Sequence, residues 1–166
     1  MVFCGYMKSN RVLVFAVSLA LAFSAAAIGG YFTSSSVTTW YVALAKPMLN
    51  PPSWVFAPVW TLLYALMAIA AALVYERSAE APRLTRQALA VYGVQLVLNA
   101  LWSYVFFGMR DPALALVVIA GLWLSIVSTV SRFSKINRTS AWLMMPYLAW
   151  VSFASYLNLM VAILNP

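Results

Sequence analysis

Between Trp40 and Trp60 the chain reads WYVALAKPMLNPPSWVFAPVW, a run holding three Trp, four Pro and a single cation, Lys46. Pro47, Pro51 and Pro52 fix φ and remove backbone donors, so this stretch is extended or turned. Its Trp and Tyr rings suit a membrane–water boundary, where a ring is half buried and half wet. A stiff aromatic loop in that position is suited to roofing an apolar cavity. The residues on either side decide whether there is one.

On both sides the chain turns strongly apolar. Hydrophobic residues make up 65% of it, charged residues 8%, and mean hydropathy is +0.91, whereas a soluble domain carries roughly 25% charged residues. Five apolar runs, approximately 12–32, 53–75, 87–107, 112–131 and 140–164, each reach the ~20 residues that span a bilayer. The expected fold class is all-α integral membrane, a five-transmembrane-helix bundle forming one domain over residues 1–166. The quoted run then falls in a loop, 33–52, between the first two spans.

Charge sets the orientation. With five spans, Lys8, Arg11, Arg77, Arg83, Arg86, Arg132, Lys135 and Arg138 share one side, and Lys46 and Arg110 lie on the other. That asymmetry places the N-terminus in the cytoplasm and favours an inner membrane, without excluding an outer one. It also absorbs most of the net charge of +7, which leaves no case for nucleic-acid binding; the expected large partner is the lipid bilayer. Lys8 and Arg11, an apolar stretch and Ala25-Ala26-Ala27 also carry the layout of a cleavable signal peptide. The apolar run continues through Ile28 and Tyr31, however, and Ser18, Ala22, Ala26 and Gly30 recur every four residues as a packing ridge. A retained span is the preferred reading.

Local signals mark helix ends and bends. Asp111-Pro112 reads as an N-cap with proline at the first helical position. Thr139 or Ser140 is expected to cap the fifth span, and Pro58 and Pro146 to sit inside their helices and permit bends. Trp123 and Trp142 fit aromatic belts.

Several chemistries have no candidates. The chain has no His and one cysteine, Cys4, so internal disulfides and ordinary zinc or His-ligated haem sites are not expected. Glu76, Glu80 and Asp111 are the only acids and read as loop or helix-end residues, which leaves no intramembrane carboxylate for a proton relay. No metal site is expected.

Polar residues inside the spans point to the interior. Gln95, Asn99 and Ser103 recur every four residues with Trp102 beside them, and a buried amide in hydrocarbon needs a partner. They serve either as interhelical glue or to orient a ligand. Tyr147, Trp150, Ala154 and Asn158 form a comparable stripe on the fifth span, with Ala154 leaving a notch, and Trp60 and Tyr64 stack on the second. An aromatic stripe is ordinarily packing, but three stripes carrying polar groups favour a cavity.

At this point the residues resemble a known family. The run WY-x-x-L-x-KP-x-x-x-PP-x-W-x-x-x-P-x-W-x-x-x-Y from Trp40 to Tyr64, the segment QLVLNALWSYVFFGMR from Gln95 to Arg110, and PYLAWVSFASYLN from Pro146 to Asn158 are similar to three ordered blocks of the translocator protein (tryptophan-rich sensory protein) family, TspO/MBR. The resemblance implies a bundle whose ligand cavity opens toward the loop 33–52. Tyr41, Pro51, Trp60, Asn99, Trp102, Trp150 and Ala154 would line it. It implies a receptor or sensor for porphyrins, protoporphyrin IX or haem, and for other hydrophobic ligands such as isoquinoline carboxamides, with no required cofactor. It also implies a homodimer, often through the third span. Two alternatives stay open: a transporter of tetrapyrroles or other small lipophiles, and a light-dependent porphyrin-degrading enzyme acting through Trp60 and Trp150 without a dedicated catalytic acid or base. The animal sterol motif is not matched, since Leu159 and Ile163 stand where a Tyr and a basic residue would be needed.

Overall fold

A computed structural model of the chain describes residues 2–166, with side chains described from Arg11 onward; Lys8 and Cys4 therefore lie outside the described side chains. Among the described residues there is no strand. Six helices follow one another: α1 (Val2–Val37), the single turn α2 (Trp40–Ala43), α3 (Phe56–Tyr75), α4 (Pro82–Ser103), α5 (Pro112–Ser134) and α6 (Arg138–Leu164). All but α2 carry a stretch long and apolar enough to cross a membrane, so this is a five-span integral membrane protein. The helices overrun the apolar runs at several ends, because hydropathy marks the hydrocarbon portion while the helix continues into its polar flanks. The loop after α1 accordingly shortens to residues 38–52, with α2 inside it.

Packing follows side-chain size. On α3, Ala68, Ala70, Ala71 and Ala72 are all buried, and such small residues let helices approach closely in lipid, where apolar burial alone gives no drive. α1 lies on α3 and α4, α3 also meets α6, and α5 packs between α4 and α6. The core holds Met67, Leu122, Ile126, Phe133, Met144 and Tyr147, each fully buried. The first span's ridge differs from the expected one. Its inner face runs through Ala22, Ala25 and Gly29, and a Cβ on Gly29 would meet Ser103 Oγ at 3.0 Å, whereas Gly30 faces open space. A strict four-residue repeat drifts around a helix of 3.6 residues per turn, which moves the contact one residue back.

α1 is tied into the bundle at both ends. Arg11 pairs with Glu76 after α3, and Ser36 Oγ donates to the Phe107 carbonyl at 2.8 Å. At the far end α4 widens into one π-helical turn, Tyr104–Gly108, with the Met109 amide bonded back to the Tyr104 carbonyl at 2.9 Å. That turn buries Val105, Phe106 and Phe107 together, and π turns often stand at functional sites. Arg110 then takes φ 58°, and Asp111 caps α5 by accepting from the Leu114 amide at 2.8 Å, with Pro112 behind it.

Two local expectations are corrected. Asn137, not Thr139 or Ser140, caps α6, its Oδ1 accepting from both of those residues' amides. A side chain one to two residues earlier reaches the free N–H groups better than one already in the first turn. Pro58 lies in the first turn of α3, preceded by a 3-10 turn at Ser53–Val55, where its missing N–H costs nothing. Pro146 does sit inside α6.

Candidate functional site

The cavity site begins with an amide on α4. Asn99 is 2% exposed, and three helices meet at it. Its Oδ1 accepts from the Tyr64 hydroxyl of α3, and its Nδ2 donates to the Tyr147 hydroxyl of α6 at 2.9 Å. One planar group thus fixes two phenols that hydrocarbon would leave unpaired. Trp60 packs one turn above, 5.7 Å from Tyr64 and 6.2 Å from Tyr147 between ring centroids.

Asn158 does the same toward the π-helical end. Its Oδ1 accepts from Trp102 Nε1 at 3.0 Å and its Nδ2 donates to the Pro112 carbonyl at 2.8 Å, joining α4, α5 and α6. The Trp102 ring lies against Phe106 at 5.2 Å with only 27° between planes, so ring and indole N–H are both held. Trp150 leans on Phe56 at 6.1 Å.

These groups surround a cavity of about 560 Å³, within the size range of small-molecule sites. Six of the seven residues singled out from sequence line it: Tyr41, Trp60, Asn99, Trp102, Trp150 and Ala154. Pro51 does not. It belongs to the loop above, where its carbonyl accepts from Asn50 Nδ2 at 3.1 Å, and Ser53 and Phe56 take the wall position instead. Sequence reasoning assigned nothing on the first span to the wall, yet α1 contributes Phe23, Ala26, Gly29 and Thr33. Apart from Phe23 these residues are small; that smallness was the available signal, and it reads equally well as packing. The cavity is partly open between α1 and α3, where Ala27, Gly30, Ala57 and Thr61 are exposed.

The loop over the cavity is braced. The Tyr41 hydroxyl donates to Asn50 Oδ1 at 2.7 Å; burial pushes that hydroxyl above its usual pKa of 10.0 while the bond to Asn50 works the other way. It stays protonated and donating near neutral pH. Lys46 Nζ caps the Val42 and Leu44 carbonyls at 2.9 and 3.0 Å and stands 5.1 Å over the Tyr41 ring, which accounts for the lone cation. Asn165, just past α6, clasps the Ala45 backbone from both sides: Oδ1 accepts from its amide at 2.9 Å and Nδ2 donates to its carbonyl at 3.0 Å.

Five spanning helices around an aromatic, amide-braced hollow under a proline-stiffened loop define a small integral membrane protein with a ligand-sized cavity between its helices. Comparison with known proteins gives this class a family. A sequence model of the TspO/MBR family matches residues 16–164, and the chain belongs to that family. It is 38% identical over 158 residues to the tryptophan-rich protein TspO of Chlorobaculum tepidum, covering 95% of this chain and 99% of that one. It is 42% identical over 126 residues to the tryptophan-rich sensory protein of Cereibacter sphaeroides, covering 76% and 77%. To the translocator protein of Homo sapiens it is 34% identical over 131 residues, covering 79% and 78%.

Proposed function

We infer that the protein is a membrane receptor or sensor that binds tetrapyrroles of the protoporphyrin kind, and related flat lipophiles such as isoquinoline carboxamides, in the cavity beneath the loop 38–52. The carrying observation is the convergence of Trp60, Trp102 and Trp150 with a doubly held Asn99 on one hollow of about 560 Å³. A porphyrin is a broad π-system with acidic substituents, and tryptophan faces beside an amide suit such a ring. The chain has no His to supply the usual axial ligand of a haem, which favours the metal-free ring. No separate cofactor is needed.

Orientation follows from charge: the N-terminus faces the cytoplasm of an inner membrane, with the loop 38–52 on the opposite side. A homodimer is part of this reading, and native mass spectrometry checks it.

The test is quenching of tryptophan fluorescence by protoporphyrin IX in Asn99→Ala, Trp60→Phe and the unaltered protein. Affinity weakens at least tenfold in Asn99→Ala; unchanged affinity in both variants removes the reading. The placement of both Trp60 and Trp150 on the wall favours a second activity, light-dependent breakdown of a bound porphyrin in which dissolved dioxygen is the oxidant and is itself reduced, while an indole donates an electron to the photoexcited ring. Photoproduct formation at an undiminished rate in the Trp60→Phe/Trp150→Phe double variant would reduce that activity to ordinary photobleaching.

A further inference from the structure

Seven hydroxyls stand on the wall of the aromatic cavity, and most of them are already used inside the protein. Thr33, Ser34 and Thr61 donate to the Gly29, Tyr31 and Ala57 carbonyls at 2.9, 3.1 and 2.9 Å. Tyr41 and Tyr64 donate to the side chains of Asn50 and Asn99. Ser53 is exposed at the base of the loop.

Ser103 is the exception. It ends the α-helical part of α4, just before the π-helical turn, and is 7% exposed. Its hydroxyl has no hydrogen-bond partner among the described residues. Serines elsewhere in the bundle meet this need by bonding back along their own helix. Ser24, Ser152 and Ser155 donate in this way to the Ala20, Leu148 and Val151 carbonyls at 2.7, 2.8 and 2.8 Å. Ser103 has the Asn99 carbonyl four residues before it and does not use it. Its Oγ turns instead toward α1, into the space left by the absent side chain of Gly29; a Cβ there would stand 3.0 Å from it. The unpartnered atoms of Thr85, Tyr92, Gln95 and Ser140 are sealed in the core, but this oxygen is reachable from the cavity that Gly29 and Ser103 both line.

The rest of the wall sets the chemistry of what completes it. Asn99, one turn deeper, already bonds through both its oxygen and its nitrogen. No charged side chain lines the cavity, and Lys46 is held at the roof by the Val42 and Leu44 carbonyls. An ionised carboxylate drawn down to Ser103 would exchange its hydration for one neutral hydroxyl, which is unfavourable. An ester or amide carbonyl has far less hydration to lose and accepts a single O–H well. Resting on the reading of this cavity as a site for flat lipophiles, we propose that Ser103 is a specificity-determining residue that donates to a neutral carbonyl oxygen of the bound molecule. Any ionised carboxylate on the same ligand stays at the roof, in contact with water. Ligands are therefore ranked by an acceptor placed at the α1–α4 seam beside Gly29, and not by the flat ring alone.

Three porphyrins test this: protoporphyrin IX dimethyl ester, which carries ester carbonyls; etioporphyrin, which carries only alkyl groups; and the protoporphyrin IX diacid. Each is titrated against the tryptophan fluorescence of the full chain in lipid nanodiscs at mildly alkaline pH, with and without Ser103→Ala. The variant binds the dimethyl ester about fivefold more weakly, the loss of roughly one hydrogen bond. It binds etioporphyrin no more weakly than the unaltered protein does, which also shows that the cavity is intact. For the diacid the loss stays below about twofold. An equal fall for all three porphyrins reduces Ser103 to packing and overturns the proposal, as does an unchanged affinity for the dimethyl ester. A diacid loss as large as that of the dimethyl ester overturns the choice of a neutral acceptor. If the unaltered protein is quenched by none of the three, the reading of the cavity falls and this inference with it; quenching by all three that ignores Ser103→Ala overturns this inference alone.

Discussion

Along α4 the two halves treat their polar side chains differently. Toward the π-helical turn, Asn99 and Trp102 are bonded to partners on α3 and α6. Toward the start of the helix, Thr85 Oγ1, Tyr92 OH and Gln95 Oε1 are buried without a partner among the described residues, and Gln95 Nε2 finds only the Met67 sulfur at 3.7 Å. The contrast is instructive because the residues share one stripe, and all but the half-buried Trp102 are buried alike. The cavity half is organised before any ligand arrives: its rings are held by amides already bonded at both oxygen and nitrogen. Binding there pays little ordering entropy. The other half keeps polar capacity in reserve, and what lies against it matters more.

The sharpest way to break this comparison is to treat the two amides alike. Asn99→Leu strands the Tyr64 and Tyr147 hydroxyls and is expected to destabilise by about 2–3 kcal/mol, read as a clear fall in thermal midpoint in detergent together with loss of porphyrin quenching. Gln95→Leu, one turn away and equally buried, removes an amide whose oxygen is unpartnered. If the two variants fell by the same amount, the division of α4 would be wrong.

Next in size is Asn158→Ala, which frees the Trp102 indole and the Pro112 carbonyl together. About 1–2 kcal/mol of stability is expected to go, with Trp emission moving to longer wavelength as Trp102 loosens. Ala154→Leu acts differently, filling the notch beside Trp150. Porphyrin affinity falls about tenfold or more, while the thermal midpoint shifts little because the added atoms enter a hollow.

Smaller again is Asn165→Ala, which removes both bonds to Ala45. Roughly 1 kcal/mol of bracing corresponds to a severalfold faster ligand off-rate, followed by stopped-flow quenching, with stability nearly unchanged. The smallest effect belongs to Gln95→Leu itself, expected within about 1 kcal/mol of the unaltered protein and on the stabilising side.

The bundle and most of the cavity wall were legible in the chain, for a physical reason. Hydrocarbon penalises unpaired polar groups so heavily that Asn99, Ser103 and Asn158 had to face inward, and helical spacing then carried Trp102 and Trp150 with them. What escaped has an equally definite cause. Beside Phe23 the α1 wall is made largely of small side chains such as Ala26, Gly29 and Thr33, which serve close packing and hollow lining alike. Pro51 was assigned to the wall through the resemblance, but proline stiffness places it in the brace above. The Asn165–Ala45 clasp joins residues 120 apart, and no local periodicity reports such a contact.

That clasp bears on how the protein is handled. Anything fused after Pro166 emerges one residue beyond the side chain that holds the loop. An affinity tag there competes for space with the roof and biases ligand measurements, so a purification handle belongs at the opposite terminus or behind a long, removable spacer.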